Sequence, residues 1–545
     1  MVPRAGARGG YVEGGRAVTS ASTVTAPASH SAPPTTADGN QGSNRSLIRG
    51  SSLVLVGRVV SLGINFAVQV MVVRYLTKAD YGAFAYALSI TLFTQMVVKL
   101  GLDRAVTRFL PIYDEQHSYD RLLGTLLFVL AVVVGLGVLA VAAVFLIAVP
   151  LHVPLARGGD ARTLLLILIA MVPLAAVNDL FVGLFAVFSR PKAIFFRRYL
   201  LTAGLRLVAA VILIAANTDV ELLAVGYVLT EAVGVVLSLA IFVQILQTDG
   251  LLAKFRKTSP RVPAREILSF TVPLLTTDLV YAAMILSDAL LLGHFRGSEA
   301  VATLRAIQPA AQMNQIVFSS FLFLFTPAVS RLFARDDRQG VDDVYWHTAG
   351  WVAILSSPIF LLTFSLAVPL TGLLFGARYA DSAMLLALLS LGYYVQAAMG
   401  FNGTTLMVLG KVRALVALNV IVIIVNVGAN VVAIPQWGAV GAAVATTSTL
   451  IVHNLLKQAT LRRSAGVRFF RLEYTRIYAT VVTAALGVLL AQRWFDAAIP
   501  SFALGAIGSG LVLLVASHAL NVPEAFPELL RIPLVRRVVA PSRTP

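Results

Sequence analysis

The 545-residue sequence contains no cysteine, which excludes disulfides, thiolate catalysis and Cys-ligated metal. Charge is scarce too: 13% of residues are Asp, Glu, Lys or Arg, against ~25% in an average soluble domain. A water-soluble chain of this length would need more polar surface. No Gly-x-x-x-x-Gly-Lys-Ser/Thr loop occurs, so the chain does not power itself with nucleotide in the usual way. The seven histidines show no metal-ligand spacing, and neither a metal nor a cofactor is expected. No connection between apolar runs is long enough to hold a soluble catalytic domain, so an enzyme is not expected.

What the sequence has is hydrophobicity. Of its residues 58% are hydrophobic, in runs that recur from Leu53 to Leu520, many near the ~20 residues that cross a ~30 Å hydrocarbon core. The expected fold class is an all-α polytopic membrane protein with about fourteen transmembrane helices. Apolar windows place them near 52–73, 82–100, 122–149, 164–188, 199–216, 222–246, 267–293, 300–325, 345–370, 383–409, 412–434, 438–458, 474–492 and 502–520. Residues 1–47 are rich in Gly, Ala, Ser, Thr and Pro and are expected to form a disordered tail. The first apolar run is too late and too long for a signal-peptide core.

The net charge of +17 would suggest nucleic acid in a soluble protein, but the basic residues sit in short connections, and no nucleic-acid partner is expected. They alternate instead. With a cytoplasmic amino terminus, 23 Lys and Arg fall on inner connections and 8 on outer ones, as the positive-inside rule requires. The inner set includes Arg104, Arg108, Arg197, Arg198, Arg331, Arg335 and Lys457; the outer set includes Arg74, Lys78, Arg296 and Arg378. The chain is expected in the inner (cytoplasmic) membrane, multi-pass, with both termini cytoplasmic.

Two weak internal matches share one shift. Leu184–Ala193 resembles Thr405–Ala414, and the Thr77-Lys-Ala-Asp80 turn matches Arg296-Gly-Ser-Glu299. Two pseudo-repeated six-helix lobes are expected, at 48–250 and 251–460, followed by two further helices in 461–522 and a cytoplasmic tail at 523–545.

Five segments then carry a resemblance: Arg74-Tyr-Leu-Thr-Lys-Ala-Asp-Tyr-Gly82, Gly101-Leu-Asp-Arg-Ala-Val-Thr-Arg-Phe-Leu110, Ser287-Asp-Ala-Leu-Leu-Leu-Gly293, Phe325-Thr-Pro-Ala-Val-Ser330, and Asn426-Val-Gly-Ala-Asn430 with Ile434-Pro-Gln-Trp-Gly-Ala-Val-Gly-Ala-Ala443. In this order they resemble the polysaccharide-transporter branch of the multidrug/oligosaccharidyl-lipid/polysaccharide exporter superfamily, over about residues 48 to 490. The resemblance implies a flippase that carries a polyprenyl-diphosphate-linked glycan from the cytoplasmic to the outer leaflet, with membrane lipid and the pathway's glycosyltransferases and polymerase as partners. Lipid II flippases and cation-coupled multidrug exporters share the fold and remain alternatives. A membrane glycosyltransferase or polymerase would need a larger outer domain.

An ionisable side chain inside a span is a site hypothesis by default. In the first span Arg58, Ser61, Asn65 and Gln69 share one helix face; in the eighth, Arg305, Gln308, Gln312 and Gln315 do the same. A guanidinium suits phosphate oxygens, and amides suit sugar hydroxyls. The alternative is that Arg58 and Arg305 snorkel to headgroups. Arg206 is a further candidate of this kind, and Lys99 fits headgroup contact better. Asp179, Glu231, Asp278 and Asp288 are candidates for ion coupling, or else counter-ions to Arg58, Arg206 or Arg305. Asn419, Asn426 and Asn430 share a face suited to interhelical hydrogen bonds.

Overall fold

In hydrocarbon every backbone N–H and C=O must find its partner within the chain, and apolar runs of this length meet that demand as helices. The computed structural model describes residues 37–148, 160–188, 190–492 and 498–519, which are helix and turn with no strand. Helical segments stand at each predicted position. They are α1 Ala37–Tyr75, α2 Lys78–Glu115, α3 Tyr119–Ala148, α4 Ala161–Leu168 with Met171–Val187, α5 Pro191–Ala215, α6 Val220–Thr248 and α7 Ala264–Arg296. Next along the chain come α8 Ser298–Leu322 with Leu324–Ala334, α9 Arg338–Ser365, α10 Ala377–Val408, α11 Val412–Trp437, α12 Ala439–Ala465, α13 Leu472–Ala491 and α14 Ala498–Ala519.

Among the described residues ten helices are long and apolar enough to cross a membrane, and twelve when the bent pairs α4 (41°) and α8 (47°) each count as one span. Their outward surface is apolar: Leu146, Val236, Leu324 and Ile424 are each well exposed, as a lipid-facing shell requires. The protein is a multi-pass membrane protein. Residues 1–49 and 50–545 are separate units, and the apolar spans belong to the second. Of the predicted tails 1–47 and 523–545, residues 1–36 and 523–545 lie outside the described residues, and residues 37–47 are helix, the start of α1, where disorder was expected.

Local chemistry sets several boundaries. The Thr77 hydroxyl accepts the Asp80 amide at 3.1 Å and donates to its carboxylate at 2.6 Å, capping α2. Asp160 does the same for α4 through Thr163, whose hydroxyl and amide hold the Asp160 carboxyl below its ordinary range. At Leu100 and Gly101 the backbone turns left-handed (φ 50° and 68°), but α2 resumes and runs on to Glu115. Its extension buries Leu102, Ala105, Val106, Phe109, Leu110 and Tyr113 at helical spacing. Arg104 and Arg108 therefore lie on a helix and not in a connection. The same correction applies to Arg197 and Arg198 in α5, Arg331 in α8 and Lys457 in α12. In α8 and α12 a buried face, Phe325 and Val329 in one and His453, Gln458, Leu461 and Ala465 in the other, carries the helix past the end of the apolar run; in α5 the buried residue is Arg197 itself.

Helices in lipid gain little from hydrophobic burial against one another and associate by close packing and polar bonds. The first six spans meet the next six mainly where α2 packs on α7 and α8. Gly82 makes that approach possible: a Cβ there would sit 1.9 Å from the Ser298 carbonyl oxygen. At the other end of α2, Phe109 packs edge-on to Phe270, Arg108 lies 4.3 Å over the Phe270 ring, and Tyr113 donates to Glu266 at 3.2 Å. The pair α13 and α14 packs on α9 through Phe360, Leu361, Val488 and Val512.

Candidate functional site

The polar face predicted on α8 does not point into lipid. It meets α1, α2 and α10. The Arg305 Nη1 donates to Gln308 Oε1 at 2.7 Å and its Nη2 to Ser89 Oγ at 3.1 Å, while its Nε is buried without a hydrogen-bond partner. Gln69 Nε2 donates to the Arg305 carbonyl at 3.3 Å and to the Tyr81 hydroxyl. Gln308 and Gln312 each donate to the Tyr393 hydroxyl at 3.3 Å, and Gln315 donates to Gln396 Oε1 at 2.7 Å. The snorkelling alternative fails for Arg305, because both of its bonded nitrogens are turned to protein. The result is a hydrogen-bonded cationic seam between the first six spans and the next six.

Just above this seam, at the Arg74 end, the two sets are tied together. Arg74 Nη2 donates to the Leu373 carbonyl at 2.8 Å, Lys78 pairs with Asp381 at 3.1 Å, and Arg378 donates to the carbonyls of Val73 at 3.3 Å and of Arg74. Most of these bonds are solvent-accessible and individually weak.

A second constellation lies within the first six spans. Glu231 on α6, 6% exposed, receives Arg206 at 3.1 Å, Arg197 at 3.8 Å and Asn178 Nδ2 at 2.7 Å. Arg206 also lies 5.0 Å over the Tyr227 ring. Arg197 is 3% exposed; its Nε donates to Ser238 at 2.9 Å and to the Gly234 carbonyl at 3.2 Å, and its Nη1 to Thr202 at 2.8 Å. The guanidinium lies so close to α6 that a Cβ on Gly234 would meet its Nη2 at 2.4 Å. It sits where α5 widens over Phe195–Leu201. Nearby, Asp179 accepts Lys99 at 2.9 Å and Gln95 at 3.1 Å. Glu231 and Asp179 are thus paired as counter-ions. Lys99 pairs with a carboxylate, which corrects its expected headgroup role.

The third is a buried carboxylate of different character. Asp288, 3% exposed on α7, accepts Asn430 Nδ2 at 2.8 Å and Thr446 Oγ1 at 2.6 Å. Asn430 also donates to Asn426 Oδ1 at 3.3 Å, and Ser287 donates to that same oxygen at 3.1 Å. The Asn430 Oδ1 is buried without a partner. These direct donors are neutral: Asp288 is bonded by an amide and a hydroxyl from α11 and α12, while Arg305 acts on it by charge without a direct ion pair. Among the described residues no group of three or more His, Cys, Asp or Glu could hold a metal ion.

Not every candidate joins these groups. Arg58 is exposed on α1, and Asn65 spends its amide on Ser61 of its own helix, at 2.7 Å to the carbonyl. The predicted pair of Arg-headed faces is therefore not gathered into one clamp: Gln69 and Arg305 meet, Arg58 and Asn65 do not join them. The Asp278 side chain lies outside the described residues. Sequence reasoning missed Ser89, Tyr81, Tyr393, Asn178, Arg197 and Thr446. A usable signal existed for Arg197: Glu231 and the adjacent Asn178 and Asp179, polar in otherwise apolar runs, demand cations and donors from other spans.

The comparisons agree with this architecture. The family described as "Polysaccharide biosynthesis protein" matches residues 47–333. The sequence has no match among curated proteins. Among solved structures, a lipid II flippase MurJ in an inward closed conformation is similar at TM-score 0.64 and 14% identity, covering 89% of this chain and 100% of that one. An inward-facing multidrug-resistance MATE transporter of the MOP superfamily is similar at TM-score 0.64 and 15% identity, covering 75% of this chain and 94% of that one. An outward-facing MATE transporter of the same superfamily is similar at TM-score 0.54 and 16% identity, covering 77% and 95%. These likenesses establish the fold, that of the flippase and exporter structures matched; with the family matched over more than half the chain, the chain belongs to the polysaccharide biosynthesis protein family.

Proposed function

We propose that the protein is a flippase that moves a polyprenyl-diphosphate-linked oligosaccharide repeat unit from the cytoplasmic to the outer leaflet, for capsule, exopolysaccharide or O-antigen-type assembly. The observation that carries this reading is the Arg305 seam: a fixed guanidinium, with a donor still open, set between residues 48–250 and 251–460 and flanked by Gln69, Gln308 and Gln312. A guanidinium binds phosphate oxygens and the amides bind sugar hydroxyls. The two sets of spans act as lobes in alternating access. The ties among Arg74, Lys78, Leu373, Arg378 and Asp381 hold the outer side shut, and the higher similarity to inward conformations is consistent with that state. Arg58, eleven residues or roughly 16 Å along α1 from Gln69, is the first phosphate contact from the cytoplasmic side. The MurJ likeness extends over more of the chain than the MATE likeness, which favours a lipid-linked cargo over a free drug.

The test is reconstitution into proteoliposomes with a fluorescent polyprenyl-diphosphate saccharide. Arg305→Ala should slow its movement at least tenfold with the melting temperature kept. Parental rates in that variant would remove the phosphate contact, and movement in protein-free vesicles would remove the activity.

In this scheme the Asp288 shell binds the coupling ion. A carboxylate surrounded by neutral donors inside a membrane protein is costly when ionised, and binding a proton or a monovalent cation neutralises it. Asp288→Asn keeps the shape and an acceptor for Asn430 but not the charge, and the Thr446 hydroxyl turns from donor to acceptor. Flipping in this variant should no longer respond to an imposed proton or sodium gradient; an undiminished response excludes Asp288 as the coupling group.

A further inference from the structure

Helices α2, α3, α4 and α6 enclose a groove of about 410 Å³, lined by none of the Arg305 seam's residues and within the ~300–1,000 Å³ range of small-molecule pockets. Its floor is apolar and buried, formed by Val106, Leu180, Leu184 and Phe242. Its lips, Leu127, Leu130 and Leu239, are exposed, so the groove opens sideways toward hydrocarbon. Along its lining there is one charged residue, Arg256.

Arg256 belongs to a short helix, Leu251–Arg256, in the connection between α6 and α7. The helix turns Leu251, Leu252 and Phe255 inward and leaves Lys254, Arg256 and Lys257 exposed. Lys254 is committed to α3: its Nζ lies 2.7 Å from the Tyr119 hydroxyl and 4.3 Å over that ring. Arg256 is left in the groove's lining, and the exposed Lys257 follows it in the chain. An apolar slot open to acyl chains, headed by one cation with a second next to it in sequence, is complementary to an amphiphile with a negative headgroup.

We propose that this groove is a binding site for an anionic glycerophospholipid of the cytoplasmic leaflet, one acyl chain lying between α3 and α6 and the phosphate resting on Arg256 and Lys257. The occupant is a bilayer phospholipid, not the transported lipid, because the groove shares no residue with the Arg305 seam and faces the surrounding bilayer. Binding there fastens the α6–α7 connection to the first six spans. This inference does not depend on the proposed cargo.

Native mass spectrometry of the purified full-length chain, equilibrated with equal amounts of phosphatidylglycerol and phosphatidylcholine, tests it. Phosphatidylglycerol should be retained preferentially. Arg256→Gln should weaken retention about fivefold, and Arg256→Gln with Lys257→Gln about thirtyfold, following the usual contribution of each basic residue near an anionic leaflet. Leu239→Trp, at an exposed lip, should obstruct the groove and reduce retention while the melting temperature holds. Equal retention of the two lipids, unchanged retention in the charge or lip variants, or displacement of phosphatidylglycerol by an equal concentration of polyprenyl phosphate would each overturn the proposal.

Discussion

Glu231→Ala is expected to destabilise the protein by about 3–5 kcal/mol, the cost of removing one partner from a buried ion pair. Glu231 answers two guanidiniums, and Arg197 cannot reach water in its place. It is 3% exposed, held by Ser238 and the Gly234 carbonyl, and it threads between α5 and α6. Without the carboxylate, Asn178 also loses an acceptor at 2.7 Å. The measurement is denaturation of the detergent-solubilised protein by heat or denaturant. Glu231→Gln, which keeps an acceptor for Asn178 but not the charge, should fall between the parent and the alanine variant. A loss below about 1 kcal/mol for Glu231→Ala would mean that water enters the cluster and that the pairing is not a buried one.

Gly82→Val should abolish transport while leaving each half folded. An ideal Cβ at this position would lie 1.9 Å from the Ser298 oxygen and 2.5 Å from its carbonyl carbon, both backbone atoms. Ordinary contact begins at 3.4 Å, so α2 and α8 must separate by roughly 1.5 Å, which interior packing does not absorb elastically. That displacement breaks the reach from Arg305 to Ser89 and opens the tied Arg74 end. The expected readout is loss of flipping in proteoliposomes, with increased labelling by a membrane-impermeant reagent of a cysteine introduced at Ser382, which is buried at the tied end. Because the chain has no native cysteine, that label reports one site. Parental flipping in Gly82→Val would show that the α2–α8 contact is dispensable.

The spans were legible because hydrocarbon allows few solutions: an apolar window of the right length is a helix whatever its neighbours are. The face of α8 was legible as well, since Arg305, Gln308, Gln312 and Gln315 follow helical periodicity. Which helices that face meets was not, because Ser89, Tyr393 and Gln69 are separated from it by long stretches of chain and each looks ordinary in its own segment. Arg197 shows a different limit. It stands with Arg190, Lys192 and Arg198 in a basic run that reads as a connection, and only its tertiary partners on α4 and α6 reveal it as an interior residue. Asp288 was picked out by its place in Ser287-Asp-Ala, yet the amide and hydroxyl shell is assembled from α11 and α12 and has no local signature.

Between α6 and α7 the chain is seated, not slack. The Arg261 amide donates to the Asp120 carbonyl at 3.0 Å, and its backbone presses on Gly124, where a Cβ would meet the Arg261 oxygen at 2.1 Å. A tether anchored this way cannot stretch or swing to accommodate a rocking partner. Any rotation of the later spans against the earlier ones has to be absorbed beyond Pro263, in the body of α7, where the sequence places Pro273 and a helix can bend without losing its anchorage.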